Sequence, residues 1–488
     1  MFTGAGISCD FPTSLPTGKQ LIASYLDAIG SRNPEIRNAL RPEVILQAYN
    51  ELNADVLKPL AYFKESSPNR NHYFLDLLAA RKKISGIITT NLDICHEKAR
   101  SSSTYEITHL HGQADRPRTI RYTLSQVAAG RNSKQLRRLA PLLGRNTLVI
   151  FLGYSGLDQF DIGPILRKCD AHLLWVQHST KRSLIRDTVE RDTAHYILHE
   201  RQRKNWTFVE MNTWKFSETL ASAFGIQGGF RAIDKQYPVS NAKRDEALNQ
   251  FSVRVKNQFA PLSATTAALI EAHLVWRHLG HATDAIKRLA HLQPTKLSAE
   301  QNAHRLRILG SAYFRIGDYR NALANYRKLE GMSPLPSNIF RWQALQWLGS
   351  AEGRMRRYAD ARRHYNTALS IAKGPGERGK IYGDYGATEH IAGKRRKALA
   401  YYRRARELVN SDPYVLATIS DSIGLLYIET EPRNYKLAEK HLKESVTIRE
   451  NILHYEGLAS AHLNLGQLYR GMYGILGLPL ERVICLRE

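Results

Sequence analysis

Cysteine is scarce in this chain: four in 488 residues, Cys9, Cys95, Cys169 and Cys485, with no C-x-x-C pair. That distribution argues against a disulfide framework and a thiolate zinc site, and favours a reducing, cytoplasmic location. Long apolar runs are missing as well. Nothing approaches the roughly 20 residues of a membrane span, so no membrane partner is expected. No basic stretch precedes an apolar core at the start, so no secretory leader is read. Acidic residues are outnumbered, 45 against 70 Lys and Arg, giving a formal charge of +25. An Arg-rich solvated helical surface accounts for that excess. Attraction to nucleic acid or to an acidic protein is the other reading, and charge alone does not choose between them.

What is present divides into two halves. The length implies two or three domains, and an apolar fraction of 43% is globular. Up to residue 226, short β-rich runs alternate with helical stretches. The predicted strands are Ile84–Thr90 (ISGIITT), Thr147–Gly153 (TLVIFLG), His172–His178 (HLLWVQH) and Trp206–Asn212 (WTFVEMN). Runs apolar on both faces fit buried parallel strands, so a doubly wound α/β sheet is expected, with its ligand site beyond the carboxyl ends of the strands. Residues 227–261 are polar and read as a linker (GGFRAIDKQYPVSNAK) with a connecting helix over Asp245–Phe259.

Residues 262–488 are helical and repetitive. A small residue recurs at Gly310, Gly349, Gly386, Gly424 and Gly466, in steps of 39, 37, 38 and 42. A second small position follows it at Ala322, Ala361, Ala398 and Ala438, with a weaker earlier copy at Ala272 and Ala285. Small residues at such places let paired helices approach closely, which is the pattern of a tetratricopeptide-like all-α solenoid. The last unit is degenerate, because the pattern is lost after Tyr469.

Four short motifs mark the first half. Gly4-Ala5-Gly6-Ile7-Ser8 reads as a strand end turning through glycines into a helix, either a phosphate-binding turn or merely a tight one. Thr89-Thr90-Asn91-Leu92-Asp93 follows a predicted strand. His109-Leu110-His111-Gly112 comes next, and Gly153-Tyr154-Ser155-Gly156-Leu157-Asp158 ends another strand. Singly, Asn91 could be a helix cap and His111 a satisfied loop histidine. Four in this order are much less expected by chance.

Together these motifs resemble the sirtuin superfamily, and more closely its bacterial SIR2-like branch found in anti-phage defence proteins. The resemblance spans about residues 1–212. It implies that Gly4, Ala5 and Gly6 cradle the NAD pyrophosphate, with Ser8 nearby. It also implies that Asn91 orients ribose and the attacking water, and that Asp93 lies near the nicotinamide amide. The catalytic histidine would be His111 rather than His109, and Gly153 and Ser155 would contact the adenosine side. NAD is then the substrate, and no metal is expected. Asp158 receives no role beyond a structural one.

The nicotinamide–ribose bond already has a cationic leaving group, so the protein must mainly hold the ribose and place a nucleophile. A neutral histidine, with an ordinary pKa near 6.5, suits proton acceptance. Protein-deacylating sirtuins carry a four-cysteine zinc ribbon after the histidine motif. Residues 113–146 contain no cysteine and instead carry a basic stretch, SQVAAGRNSKQLRRLAPLLGRN. Hydrolysis of NAD is therefore expected over an NAD-dependent deacylase, with a non-catalytic NAD- or ADP-ribose-binding scaffold as the third reading. The stretch Leu15–Gln20 (LPTGKQ) is no phosphate loop, having Thr13 and Gln20 at decisive places. His195 and His199 lack a third zinc-ligand pattern.

The resemblance further implies a protein trigger on the repeat surface, such as a phage component, and a homo-oligomer. Two basic runs, GRMRRYADARRHY and GKRRKALAYYRRARE, offer a face for an acidic partner through Arg362, Arg363, Arg403 and Arg404, or ordinary solvated helix surface. The glycine turn normally follows a full apolar strand, whereas only Met1–Thr3 precede it here. A start placed too late is therefore expected.

Overall fold

The computed structural model describes residues 1–52, 57–123, 126–127, 139, 142–156, 162–179, 184–186, 205–259, 264–333, 335, 341–409, 412–451 and 455–474. The chain divides into two compact units, Met1–Gly30 with Asp55–Pro261, and Ser31–Ala54 with Leu262–Glu488.

The first unit is built on a seven-stranded sheet: β1 (Phe2–Thr3), β2 (Gly86–Thr89), β3 (Glu106–His109), β4 (Leu148–Leu152), β5 (His172–His178), β6 (Leu184–Arg186) and β7 (Trp206–Met211). Their order is β3-β2-β1-β4-β5-β7-β6, and only β6 runs antiparallel to its neighbour. This is the expected doubly wound sheet, with β3 and the short edge strand β6 added to the predicted set. Although two residues long, β1 is central, with Phe2 in register with Ile88 on one side and Phe151 on the other.

Alternate residues along the strands supply two cores, as the twofold period of a strand requires. One face gathers Phe2, Ile88, Phe151, Trp175 and Phe208 against Ile162 and Leu166. There the Phe151 and Trp175 rings stack at 4.4 Å. The other face gathers Ile87, Ile150, Val176 and Val209 against Phe74, Leu78, Phe216 and Phe230.

The division at residues 226 and 261 is redrawn in two places. Residues 227–261, expected as a linker with a connecting helix over Asp245–Phe259, form two helices within the first unit, Gln227–Gln236 and Asn241–Phe259, the second of them at the expected place. Phe230 packs on Phe74 and Trp214, while Phe251 meets Phe63 and Phe259 meets Tyr25. A few aromatic anchors on otherwise polar helices hold them, which a composition average dilutes. Residues 31–54, expected in the first domain, instead group with the repeats. There Glu51, at the end of the helix Pro42–Glu51, lies 3.1 Å from His273 and 3.5 Å from Arg307.

The second unit pairs helices along the chain, from Ala264–Arg277 with Ala282–Ala290 through to Tyr435–Asn451 and Tyr455–Gly474. Ala272, Ala285, Ala322, Ala361, Ala398 and Ala438 are all fully buried. A Cβ at Gly349 or Gly386 would meet the ring of Tyr365 at 2.9 Å or Tyr402 at 2.8 Å. One at Gly310 would overlap the Tyr326 ring, and one at Gly424 would meet Leu442 at 2.7 Å. The small positions thus exist because the second helix of each pair lays a large side chain across the first. Gly466 departs from this: no described atom lies within 4 Å of its Cβ position.

Of the four arginines singled out in the two basic runs, three are paired with carboxylates. Arg362 grips Glu389 with two hydrogen bonds of 2.6 and 3.2 Å, Arg363 pairs with Asp360 and Arg404 with Glu407. Arg403 donates to the Tyr427 hydroxyl. Partners one turn or one repeat away therefore favour the reading of these arginines as helix-surface residues over a face built for an acidic partner.

Candidate functional site

In the sheet order, the chain runs from β1 out to β2 and β3, then crosses back to β4 on the other side of β1. The switch point of this doubly wound sheet therefore lies between β1 and β4, where such folds bind ligands. All four motifs leave the carboxyl ends of these four adjacent strands: Gly4 after β1, Asn91 after β2, His111 after β3 and Gly153 after β4.

The glycine turn is locked to the β4 loop by its main chain. Gly4 N–H donates to Leu152 O at 3.2 Å and Gly6 N–H to Gly153 O at 2.9 Å. A Cβ on Gly4 would stand 2.7 Å from the Tyr154 Cα, and one on Gly6 would stand 2.8 Å from the Gly153 Cα. Gly153 itself has φ +62°, a left-handed conformation that favours glycine. Beyond the turn, Ala5–Ser8 forms one 3₁₀ turn, with Gly6 exposed and Ser8 buried. Asn69 and Asn71 side chains donate to Ile7 O at 2.9 and 3.1 Å and hold that turn from behind. Ser155 is exposed beside Gly153, and Leu157 and Asp158 lie outside the described residues.

Beneath the turn is a buried polar floor. Asn91 Nδ2 donates to Ser8 Oγ at 2.9 Å, and Ser8 Oγ donates to Asp93 Oδ2 at 2.9 Å. Asp93 Oδ1 also accepts the Cys95 N–H at 3.0 Å, starting the short helix Cys95–Ala99. Asn91 N–H is fixed by Thr89 Oγ1 at 3.0 Å. These bonds occupy Asn91's amide nitrogen and leave its Oδ1 buried with no hydrogen-bond partner among the described residues. An orphaned buried acceptor is costly, of order 1–3 kcal/mol, and is where a bound water or hydroxyl fits.

The two histidines of the HLHG motif are placed differently. His109 uses both ring nitrogens: Nδ1 meets Asn91 O and Nε2 meets Glu97 Oε1, each at 2.9 Å. Burial opposes its charge, but the Glu97 carboxylate prevails and raises its pKa. The same pairing outweighs the burial of Glu97 and lowers that carboxyl. His109 therefore ties β3 to the Asn91 segment. His111 is also buried, beyond the strand end, and its carbonyl accepts the Arg121 N–H at 2.9 Å. Gly112 follows at φ +91°, where a Cβ would overlap Thr119 O. Part of the basic stretch expected over residues 125–146, and both His195 and His199, lie outside the described residues.

Sequence reasoning missed His72 and His96. His72 Nε2 sits 3.3 Å from Ser8 Oγ, and His96 Nε2 is 3.1 Å from Thr3 Oγ1. Burial lowers both to about 3, so both are neutral at physiological pH. His72 lies on the helix Arg70–Ala80, which Asn69 caps, and its distance in sequence from the motifs hid its place beside Ser8. His72, Asp93 and Cys95 bring three possible metal ligands within 4.8 Å. Burial raises the Cys95 thiol, which favours the protonated form over the thiolate a metal needs. Cys95 Sγ lies 3.3 Å from Ser66 Oγ, so the group reads as part of the hydrogen-bonded floor. Leu15–Gln20 proves to be a helix start, with Thr17 and Gln20 forming a capping box for Gly18–Ala28.

A glycine turn over a buried Ser–Asn–Asp floor thus sits at the switch point of a doubly wound α/β domain, where such folds bind ligands. In comparison with known proteins, residues 37–134 match the Sir2 family, and residues 308–334 and 343–411 match the tetratricopeptide repeat. The chain thus joins a Sir2-family domain to a tetratricopeptide array. Sir2-family proteins use NAD as a substrate. The chain is 28% identical over 107 residues to NAD-dependent protein deacetylase 2 of Caldanaerobacter subterraneus subsp. tengcongensis. That match covers 22% of this chain and 40% of the relative. The Sir2 match includes Asn91, Asp93 and His111 but stops short of Gly153 and begins after the glycine turn. Among the described residues, no helix is long and apolar enough to cross a membrane.

Proposed function

We propose that this chain is an NAD glycohydrolase, cleaving the nicotinamide–ribose bond with water to give nicotinamide, ADP-ribose and a proton. The observation that carries the reading is Asn91: buried, held by Ser8 and Thr89, with its Oδ1 unpaired among the described residues. A fixed amide oxygen of that kind orients a water or a ribose hydroxyl without taking its proton. His111 is the proton acceptor. Gly6 and Ala5 leave the outer side of the turn open to a pyrophosphate, and Ser155 stands at the adenosine side. Ser8 and Asp93 act from beneath, by fixing the Asn91 amide. No cysteine lies in residues 113–146, so the chain lacks there the thiolates that would build an acyl-lysine channel on zinc. In a cell this activity would deplete NAD, which suits anti-phage defence in the cytoplasm, with a phage protein acting through the repeats and with self-association.

The test follows NAD with the purified chain, with and without lysate of phage-infected cells and with and without an acetyl-lysine peptide. Nicotinamide and ADP-ribose should appear without peptide, and Asn91→Ala should lower turnover at least ~100-fold, as loss of one preorganised polar group does. The Sir2 relative's name favours a second reading, an NAD-dependent deacylase. Nicotinamide release that requires the acyl peptide would establish that reading and refute hydrolysis. NAD binding without turnover under any condition would instead mark a scaffold.

A further inference from the structure

In the second unit, positive charge collects along one edge of the repeats, where the first helix of a pair turns into the second. One such turn, residues 355–357, joins Arg341–Arg354 to Tyr358–Ile371; the next, residues 392–394, joins Pro375–Ile391 to Arg395–Leu408. The two turns lie side by side, since the Tyr358 hydroxyl donates to Ile391 O at 3.3 Å. Arg356, Arg357, Lys394, Arg396 and Lys397 are all exposed there. Among the described residues none of these five pairs with a carboxylate, whereas Arg362, Arg363 and Arg404, further along the same helices, do.

Each of these charges stands where the fold alone favours another residue. Arg356 has φ +61°, and the same place in the preceding and following turns is held by Gly317 at φ +84° and Gly393 at φ +74°. A left-handed arginine is strained where glycine is not. Arg357 and Lys394 come just before the second helix of their pairs and make no side-chain cap. In the flanking repeats that place belongs to Asp318, which accepts the Asn321 N–H at 3.1 Å, and to Asn434, which accepts the Leu437 N–H at 3.0 Å. The helix Arg395–Leu408 then opens on Arg395-Arg396-Lys397, with no acid in its first turn, at the end where the helix dipole opposes positive charge. Three kinds of local cost thus run the same way, towards unpaired cations on one edge.

We propose that this edge of the repeats binds the phosphate backbone of nucleic acid. A densely and evenly charged strand matches cations spread over two adjacent turns, neither of which contains an acid. Glu429 bounds the edge on its far side, holding His390 at 2.8 Å and Arg395 at 3.7 Å. A protein partner would need a cluster of hydrophobic anchors. Among the described residues, Ile391 is the one large apolar side chain exposed beside these cations. No exposed aromatic ring stands among them to stack on a base, so the contact is with phosphates and carries no sequence preference. Such binding is independent of the NAD reaction.

The test titrates the full chain into fluorescently labelled DNA duplexes of about 20 base pairs, in two unrelated sequences and over a range of salt, and reads anisotropy. Both sequences should bind alike, with log K falling against log salt at a slope of about −4.5, as five phosphate contacts require. Arg356→Gly and Lys394→Asp should each weaken binding about eightfold near 0.1 M salt, the effect of one lost contact, and flatten the slope by about one. Neither should melt below the wild type, because glycine relieves the left-handed position and aspartate restores a cap. Residues kept only for the fold would behave in the opposite way. Arg396→Gln combined with Lys397→Gln gives the same reading from positions that are neither cap nor left-handed. Undiminished affinity in these folded variants would overturn the proposal. So would polyglutamate competing as well as unlabelled duplex at equal charge, which would mark an acidic protein as the ligand instead.

Discussion

Replacing Gly6 by alanine tests why the opening turn is built of glycine. The added methyl would stand 2.8 Å from the Gly153 Cα and 2.9 Å from the Gly153 carbonyl oxygen. Carbon atoms prefer about 3.5–4.0 Å, so the two loops must part by roughly 0.7 Å. Neither side yields easily, because the obstructing atoms are main chain and Gly153 is held at φ +62°. Separation also stretches the 2.9 Å hydrogen bond from Gly6 N–H to Gly153 O. Overpacking of this kind costs about 1–3 kcal/mol, and a weakened hydrogen bond adds about 1. Gly228→Ala is the internal control. It lies on the helix Gln227–Gln236 of the same unit, with no described atom within 4 Å of its Cβ position. Removing a helical glycine there should stabilise by up to about 1 kcal/mol. Hydrogen–deuterium exchange read on peptides covering residues 1–15 and 147–156 isolates the effect from the repeats. A local loss of 2 kcal/mol corresponds to about thirtyfold faster exchange, and NAD turnover should fall with it. A Gly6→Ala variant with wild-type protection and turnover would refute the argument that loop-to-loop packing shapes the site.

Acidification should loosen the same unit early. His72 and His96 are buried with pKa values lowered to about 3, against an ordinary 6.5 when unfolded. A base with a depressed folded pKa contributes stability above pH 6.5 that is lost as pH falls towards 3. Each such histidine forfeits about 1.4 kcal/mol by pH 5.5, so together about 3 kcal/mol. Urea midpoints at pH 7.5 and 5.5 should show that loss, and His72→Gln should halve it; a flat profile would contradict it. In the repeats, Gly386→Ala drives a methyl to 2.8 Å from the Tyr402 ring, whereas Gly466→Ala meets no described atom within 4 Å. Melting of the full chain by calorimetry should show the first variant destabilised by about 1–3 kcal/mol and the second unchanged or slightly stabilised. Equal melting temperatures for the two would refute the close-approach account of the repeats.

The parts of the fold legible in the sequence were those whose residues repeat a local signal. ISGIITT, TLVIFLG, HLLWVQH and WTFVEMN are apolar on both faces and became β2, β4, β5 and β7 within a residue or two. EITH became β3 despite an exposed Glu106 and two partly buried positions, too weak an apolar run to stand out. The helix Gln227–Gln236 opens on Gln-Gly-Gly, which argues against a helix, and is held by Phe230 on partners more than a hundred residues away or just upstream. Glu51 shows no sequence signal for its place in the second unit, because its partners His273 and Arg307 lie over two hundred residues downstream. Within the site, the four motifs were visible because each sits at a strand end. His72 was not, since its relation to Ser8 is purely spatial.

That difference changes what the glycine motif can be asked to prove. Gly4 and Gly6 are sufficiently explained by Tyr154 and Gly153, whose main chains leave no room for a side chain. A turn of this shape would therefore be retained even in a protein that bound nothing. Asn91 is another matter. Its amide nitrogen is spent on Ser8, its N–H on Thr89, and its carbonyl on His109, yet its side-chain oxygen is buried without a described partner. Structure alone gains nothing from that orphaned acceptor, whereas a reaction that must hold water over a ribose does. The case for NAD chemistry thus rests less on the glycines that first suggest it than on one amide oxygen left unsatisfied beside them.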